Sequence, residues 1–355
     1  MLKARTCVRE MREYHSPLSS PDIDLRLDMN ESTTGCSPRV LTKLNSMDAR
    51  TLAKYPRRED GEKLVAESLG VAPAQLLLTN GADEAIDLLC RAYLEPRDEI
   101  VIVVPTFAMY EVFAQMENAR VVRVPTGPEL SFPTQGVLDA LNSKTRIVVI
   151  CNPNNPTGVA AARADMLKII QAAPDAAILL DEAYFDFYGQ TLIDQIGRLP
   201  NLFIARTFSK AYGLAGLRLG VIVGDQEQMS VLRRMASPFN VNAFAMECLE
   251  EALADREFVS GYVAQVVASR DWLRRELEQL QFKCWPSHGN FILCRFGEDK
   301  TAILEALQAR GISLRNRPDC ESCVRITIGT QSEMERLVAE LKQVLTRLPA
   351  KPVAR

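Results

Sequence analysis

Short runs of β-branched and aliphatic residues alternate with helical patterns over residues 62–224, and this alternation constrains the fold more than any other feature. It is typical of a parallel sheet that carries helices on its faces. Several runs are almost entirely Val, Ile and Leu, as expected where helices cover both faces of a strand. The predicted strands are 76–79, 100–104, 121–124, 147–151, 178–181, 203–206 and 219–223. The pattern therefore predicts a large α/β domain.

The pattern changes after residue 241 and predicts a second, smaller α+β unit. A long helical stretch, residues 244–280, precedes three further predicted strands and a last helix whose apolar residues recur at helical spacing. Those three strands are 291–296, 312–314 and 324–328. We expect the first 45 residues to form an arm that packs with this unit. The predicted division is 1–45 for the arm and part of the small domain, 46–243 for the large domain and 244–355 for the small domain.

Composition excludes several classes of protein. The 355 residues include 42 Lys and Arg against 45 Asp and Glu, a net charge of -3, so no basic excess favours nucleic acid. No apolar run approaches the roughly 20 residues that cross a bilayer, and the charged N-terminus does not resemble a signal peptide. The nine scattered cysteines predict a reduced, cytoplasmic protein. Cys320 and Cys323 alone make a poor zinc site, so we expect no metal.

Two motifs follow predicted strands and offer polar groups to a ligand. The turn 80–84 opens a helix after a glycine, and such a helix start presents free N–H groups to a phosphate. A plain Asn-Gly turn with Asp83 as a helix-start acid explains it equally well. The loop 152–158 contains three asparagines held by two prolines and a glycine at the crevice where open α/β sheets bind ligands.

Two further strands end in charged residues. Asp181 and Tyr184 follow an apolar strand, and a buried carboxylate there requires a cation or hydrogen-bond donors. The segment 207–218 places Ser209, Lys210 and Arg218 among small residues. A second cation beside a lysine in apolar surroundings favours its amine form, which can attack an aldehyde. Lys210 is therefore the candidate nucleophile.

Six elements, in this order, resemble the fold-type I aminotransferases that use pyridoxal 5′-phosphate (PLP). They are Gly81-Ala82-Asp83, Tyr110 after Pro105-Thr106-Phe107, Asn155 to Gly158, Asp181 with Tyr184, Ser209-Lys210 and Arg218. The resemblance spans nearly the whole chain. It implies an α/β fold-type I PLP-transferase, with a large, mostly parallel seven-stranded sheet domain and a smaller α+β domain.

The same resemblance implies roles around the cofactor ring. Lys210 would form a Schiff base with PLP and later move the proton between the substrate α-carbon and the cofactor. Asp181 would pair with the pyridine nitrogen, and Tyr110 would stack on the ring. Tyr184 and Asn155 would hydrogen-bond to the ring hydroxyl oxygen.

For the cofactor phosphate, the resemblance implies the backbone of Ala82 and Asp83 with the side chains of Ser209 and Arg218. Tyr55 looks like the residue that reaches the phosphate bound by the neighbouring subunit. A homodimer is therefore implied.

Several stretches are similar to the histidinol-phosphate aminotransferase subgroup, among them 27–31, 79–86, 215–218, 240–243, 290–293 and 324–330. The subgroup converts histidinol phosphate and 2-oxoglutarate to imidazole acetol phosphate and glutamate. Arg315 and Arg325 match its phosphate binders, and guanidinium groups suit both a phosphate and a carboxylate. Tyr14 and Asn30 match further substrate contacts of the subgroup.

Departures from the subgroup keep other functions open. Residues 32–38 and Arg57-Arg58 differ from the usual pattern, and an imidazole-sized pocket admits a phenyl ring, so an aromatic amino acid aminotransferase is the main alternative. A phosphothreonine-type decarboxylase would use the same cofactor residues. A regulatory domain without turnover lacks support because no basic DNA-binding segment precedes the α/β region. A domain that binds another phosphate ligand through Gly81 would leave Lys210 and Asp181 unexplained.

Overall fold

A computed structural model describes residues 2–11 and 23–347 of the chain. Within them, twelve strands form two sheets. The strands are β1 (Leu25–Leu27), β2 (Leu76–Thr79), β3 (Glu99–Val104), β4 (Arg120–Pro125), β5 (Thr145–Cys151), β6 (Ala177–Asp181), β7 (Leu202–Thr207), β8 (Gly220–Gly224), β9 (Lys283–Cys284), β10 (Phe291–Arg295), β11 (Ile312–Arg317) and β12 (Cys323–Thr327).

The larger sheet has the strand order β2-β8-β7-β6-β5-β3-β4. Strands β3 to β7 pair in parallel, whereas β8 is antiparallel to both β7 and β2. Six strands therefore point the same way. Their carboxyl ends share one edge of the sheet, where ligands of open α/β sheets bind.

Fourteen helices surround the two sheets in the described residues. They are α1 (Thr6–Glu10), α2 (Pro38–Asn45), α3 (Ala49–Leu52), α4 (Arg58–Leu69), α5 (Gly81–Tyr93), α6 (Met109–Met116), α7 (Thr134–Ala140), α8 (Arg163–Ala172), α9 (Phe185–Tyr188), α10 (Gln226–Met235), α11 (Ala243–Ala254), α12 (Arg256–Gln279), α13 (Lys300–Gln308) and α14 (Gln331–Arg347). None of them is long and apolar enough to span a membrane.

Alternate residues of the central strands enter cores on opposite faces of the larger sheet. Ile100 and Ile102 pack with Leu89 of α5, whereas Val101 packs on the other face with Ile169 of α8. All of these side chains are buried. Burial on both faces explains why these strands lack polar alternation.

The smaller sheet has the order β1-β11-β12-β10-β9. Its edge strand β1 comes from near the N-terminus and runs parallel to β11, and the remaining pairs are antiparallel. Helices α12 and α14 cover it through buried residues such as Leu273 and Leu337. The N-terminal segment thereby enters the smaller sheet before the chain builds the larger one.

The structure confirms the seven predicted strands of the larger sheet, the three of the smaller sheet and the last helix. The predicted helical stretch 244–280 is divided between α11 and α12. Asp255 separates them because its carboxylate accepts a hydrogen bond from the Phe258 amide at 3.3 Å and caps α12. The domain boundaries at residues 45 and 243 stay a prediction.

Candidate active site

A cavity of about 1440 Å³ lies at the carboxyl edge of the larger sheet. The smaller sheet contributes to its lining through Arg315 and Arg325. Among the predicted site residues, those that line the cavity are Ala82, Asp83, Tyr110, Asn155, Asp181, Tyr184, Ser209, Lys210, Arg218, Arg315 and Arg325. The fold thus brings eleven widely spaced residues to one cavity.

Asp181 ends β6 with its carboxylate at the cavity, and only 4 % of the residue is exposed. One carboxylate oxygen accepts a hydrogen bond from the Ala183 amide at 2.9 Å, and the other accepts one from the Tyr110 hydroxyl. No described Lys, Arg or His forms a salt bridge with it. Burial raises the pKa of the Asp181 carboxyl, against the effect of these two donors. A cationic N–H donor bound in the cavity would stabilise this charge.

Lys210 follows β7 and reaches the cavity from the neighbouring strand. Its Nζ donates to the Met29 carbonyl at 3.2 Å. Burial lowers the pKa of the Lys210 amine from 10.5 to about 8, and the positive charge of Arg325 acts in the same direction. About a tenth of this amine is therefore unprotonated at pH 7, far more than for a lysine with an ordinary pKa, and the neutral amine is the form that attacks an aldehyde.

Tyr184 and Asn155 present polar groups to the same cavity. Burial raises the pKa of the Tyr184 hydroxyl to about 12, so it stays protonated. Asn155 accepts a hydrogen bond from Arg325 Nη1 on its Oδ1 at 2.6 Å, and its Nδ2 is thereby directed away from that guanidinium. Both residues can serve as hydrogen-bond donors to a ligand oxygen.

The N-terminus of α5 and Arg218 form a candidate anion site. The backbone at Gly81 has φ +78°, and a Cβ added there would lie 2.6 Å from Arg218 Nη2. The positive φ therefore favours glycine, and an added Cβ would also displace the end of the Arg218 side chain. Arg218 Nη2 also donates to Asp83 at 3.0 Å. Ser209 lines the same cavity, and its Oγ accepts a hydrogen bond from the Thr207 hydroxyl at 2.9 Å.

Arg315 and Arg325 are direct neighbours across β11 and β12. Opposite residues of an antiparallel pair point to the same face with their Cβ atoms about 5 Å apart. Arg325 is 6 % exposed and donates through Nη2 to the Asp28 carbonyl at 2.6 Å. Two guanidinium groups on one wall can bind an anionic ligand group.

Two predicted residues, Asn30 and Tyr55, do not line the cavity. Asn30 is 1 % exposed and lies behind Tyr184, to whose hydroxyl its Nδ2 donates at 2.8 Å. Tyr55 is 75 % exposed and stacks on Phe239 with their ring centroids 4.2 Å apart. Tyr14 lies outside the described residues.

Sequence reasoning misses two groups at the site. The Met29 carbonyl accepts from Lys210, but a backbone group leaves no signal in residue type. Thr327 holds Asn30 from β12, and nothing in the sequence distinguishes its hydroxyl from those of other strand threonines. Among the described residues no group of three His, Cys, Asp or Glu side chains could hold a metal ion.

Residues 22–341 match the model of the aminotransferase class I and II family. The chain belongs to this family. It is 34 % identical to a histidinol-phosphate aminotransferase of Dehalococcoides mccartyi over 90 % of both chains. It is 36 % identical to the same enzyme of Leuconostoc citreum, over 87 % of this chain and 89 % of that one.

The chain is also similar to a solved structure of a histidinol-phosphate aminotransferase. Histidinol-phosphate aminotransferase from Sinorhizobium meliloti, in complex with pyridoxal-5′-phosphate, superposes with a TM-score of 0.89 at 25 % identity and 98 % coverage of both chains. The comparisons confirm the predicted fold class and the resemblance to the histidinol-phosphate aminotransferases.

Proposed function

We propose that this aminotransferase uses PLP to transfer an amino group from histidinol phosphate to 2-oxoglutarate, giving imidazole acetol phosphate and glutamate. One observation carries the proposal. A lysine with a lowered pKa and a buried carboxylate without a salt bridge in the described structure line the same cavity. An aldehyde that carries a pyridinium ring satisfies both groups at once.

The residues present fit this cofactor. Asp181 would accept a hydrogen bond from the ring nitrogen and keep it protonated, which would offset the cost of burying the carboxylate. Tyr184 and Asn155 would donate to the ring hydroxyl oxygen, and Tyr110 would lie against the ring. PLP, when bound, supplies an aldehyde that condenses with amines and a cationic ring that accepts electrons.

Four further cavity-lining residues would bind the cofactor phosphate: Ala82 and Asp83 through their first-turn N–H groups, and Ser209 and Arg218 through their side chains. A helix N-terminus and a guanidinium suit a dianion. Asp83 is already paired with Arg218 at 3.0 Å, and it orients the guanidinium that the phosphate needs.

Lys210 moves the proton that amino transfer requires. Its amine, near the Met29 carbonyl, would take the proton from the substrate α-carbon and deliver it to the cofactor. The pKa of about 8 suits both steps, because the amine can accept and release a proton near neutral pH.

Arg315 and Arg325 bind the phosphate of histidinol phosphate and, in the second half of the reaction, a carboxylate of 2-oxoglutarate. Both substrates carry an anionic group, so one pair of guanidinium groups can serve them in turn. We expect Tyr14 to contribute to the same subsite.

The active enzyme is a homodimer in this proposal. Tyr55 and Phe239 form an exposed stacked pair, and Leu52, three residues before Tyr55 in the chain, is 54 % exposed; exposed apolar side chains of this kind are typical of an interface. Tyr55 would reach the cofactor phosphate of the partner. Sedimentation equilibrium should give twice the chain mass, and a monomer that is fully active would contradict this assignment.

We also place the enzyme in the cytoplasm. All nine cysteines are free thiols, including Cys284 and Cys294, whose Sγ atoms are 3.2 Å apart. Free thiols persist in a reducing compartment. Fractionation of the native host would test this.

The experiment that tests the function follows the visible absorbance of the cofactor in separate half-reactions. Histidinol phosphate alone should abolish the absorbance once, and 2-oxoglutarate should restore it. Continued release of carbon dioxide without a keto acid would indicate a decarboxylase. A preference for phenylalanine would indicate the aromatic enzyme. The Lys210→Ala variant should lose the lysine-bound absorbance, while Lys63→Ala, a 67 % exposed control, should keep it.

A further inference from the structure

The backbone N–H and carbonyl of Asn30 and both polar atoms of its side-chain amide form hydrogen bonds. Its amide N–H donates to Thr327 Oγ1 at 2.9 Å, and the Thr327 hydroxyl returns a hydrogen bond to Asn30 Oδ1 at 3.1 Å. Asn290 Nδ2 donates to the Asn30 carbonyl at 3.1 Å. Because its Oδ1 is held by Thr327, the Asn30 side chain must present its NH₂ group to Tyr184.

This arrangement determines where the hydroxyl proton of Tyr184 points. Asn30 Nδ2 donates to the Tyr184 hydroxyl oxygen at 2.8 Å, and an NH₂ group cannot accept a proton in return. The described residues offer the Tyr184 O–H no other hydrogen-bond partner. Since Tyr184 lines the cavity, its own proton points into the cavity.

We propose that Asn30 is a positioning residue that makes Tyr184 an obligate hydrogen-bond donor to the ring hydroxyl oxygen of the cofactor, and that it does not contact the substrate. This inference rests on the proposed function. Burial keeps Tyr184 protonated, with a pKa of about 12, so the donor is present at every working pH. Donation lowers the basicity of the ring oxygen and with it the affinity of the neighbouring Schiff-base nitrogen for its proton.

The positive φ of Asn30, 53°, supports a specific role for this residue. Few residue types tolerate this conformation, and Asn and Asp are among them. The Asn30→Asp variant would keep the shape and the backbone but offer only acceptors. Tyr184 would then turn its proton towards the new carboxylate and away from the cavity.

The test measures the pKa of the visible chromophore of the resting holoenzyme by absorbance, with no substrate present. Asn30→Asp should raise this pKa by about one unit or more, as expected for one lost hydrogen bond to a charged group. Asn30→Gly, which accepts the positive φ, covers the case in which a buried carboxylate prevents folding. Tyr184→Phe should give a shift of similar size.

A double-mutant cycle separates this role from a structural one. In the Tyr184→Phe background, Asn30→Asp should produce no further shift, because Asn30 acts through Tyr184. Thr327→Ser should leave the chromophore pKa unchanged, since it keeps the hydroxyl. Asn201→Asp is the matched control: its Nδ2 donates to three carbonyls at the opposite end of β7, so it should lower stability only.

An unchanged chromophore pKa in both Asn30 variants would overturn the inference, as would a full shift from Asn30→Asp in the Tyr184→Phe background. A raised KM for the amine with an unchanged chromophore pKa would instead assign Asn30 to the substrate. If the wild type supplied with PLP shows no visible chromophore that depends on Lys210, the proposed function fails, and the inference fails with it.

Discussion

Lys210 should make the protein without cofactor less stable at neutral pH. Its amine is charged in the unfolded chain, whereas in the folded chain the pKa falls from 10.5 to about 8. Between these two values the unfolded state binds more protons, so stability rises with pH across this window. Below pH 8 both states are charged, and the folded state carries the whole cost of burying the ammonium.

The size of this cost follows from the two pKa values. A fall from 10.5 to about 8 corresponds to about 3.4 kcal/mol. The Lys210 side chain is partly exposed to the cavity and bonded to the Met29 carbonyl, so solvent screening reduces the figure, by about half, to between 1 and 2 kcal/mol. Lys210→Met should therefore stabilise the cofactor-free protein at pH 7 by about 1 to 2 kcal/mol.

Urea unfolding of the cofactor-free proteins at pH 7 and pH 9.5 measures this difference. The advantage of Lys210→Met should shrink by about 1 kcal/mol at pH 9.5, because the wild-type amine is then neutral when folded. Lys63→Met, at a 67 % exposed side chain, should show no such pH dependence. A stability difference between wild type and Lys210→Met that is the same at both pH values would refute the reasoning.

Three further predictions concern the cofactor and substrate residues. Asp181→Asn should reduce kcat/KM by about 10²- to 10⁴-fold, because it removes the charge that pairs with the ring nitrogen. Steady-state kinetics would measure the loss, and a wild-type kcat/KM would exclude that pairing. Gly81→Ala should raise the Kd for PLP at least tenfold, because alanine is strained at φ +78° and its Cβ would displace the Arg218 guanidinium. Fluorescence titration tests this, and an unchanged Kd would contradict it. Arg325→Lys should raise KM for the phosphorylated amine more than tenfold, whereas Lys300→Arg, far along the chain in α13, should leave KM unchanged.

The apolar strands of the larger sheet could be predicted because burial on both faces left long Val, Ile and Leu runs. Ile100 enters the core on one face of this sheet and Val101 the core on the other face, so each position needs only an apolar residue. The short strands β1 and β9, with three and two residues, could not be predicted, because pairing with β11 and β10 rather than local pattern creates them.

The candidate site was predictable where its chemistry requires a particular side chain. Lys210, Asp181 and Arg218 have few substitutes: Asp181 is the last residue of β6, and the other two lie between β7 and β8. The resemblance assigns Asn30 to the substrate, and a single sequence shows its residue type but not which neighbour it faces. Its contact with Tyr184 joins residues 154 positions apart, and only the packing of the N-terminal segment against β12 creates it.

Strand β1 closes one side of the smaller sheet with residues that precede β2, the first strand of the larger sheet, by dozens of positions. A fragment that begins at residue 244 would therefore leave the edge of β11 unpaired, and such an edge recruits other chains. Expression of that fragment should yield aggregates. Fusing residues 23–31 ahead of it should restore a soluble product. Any shortened version of the chain that keeps β11 therefore has to keep β1 as well.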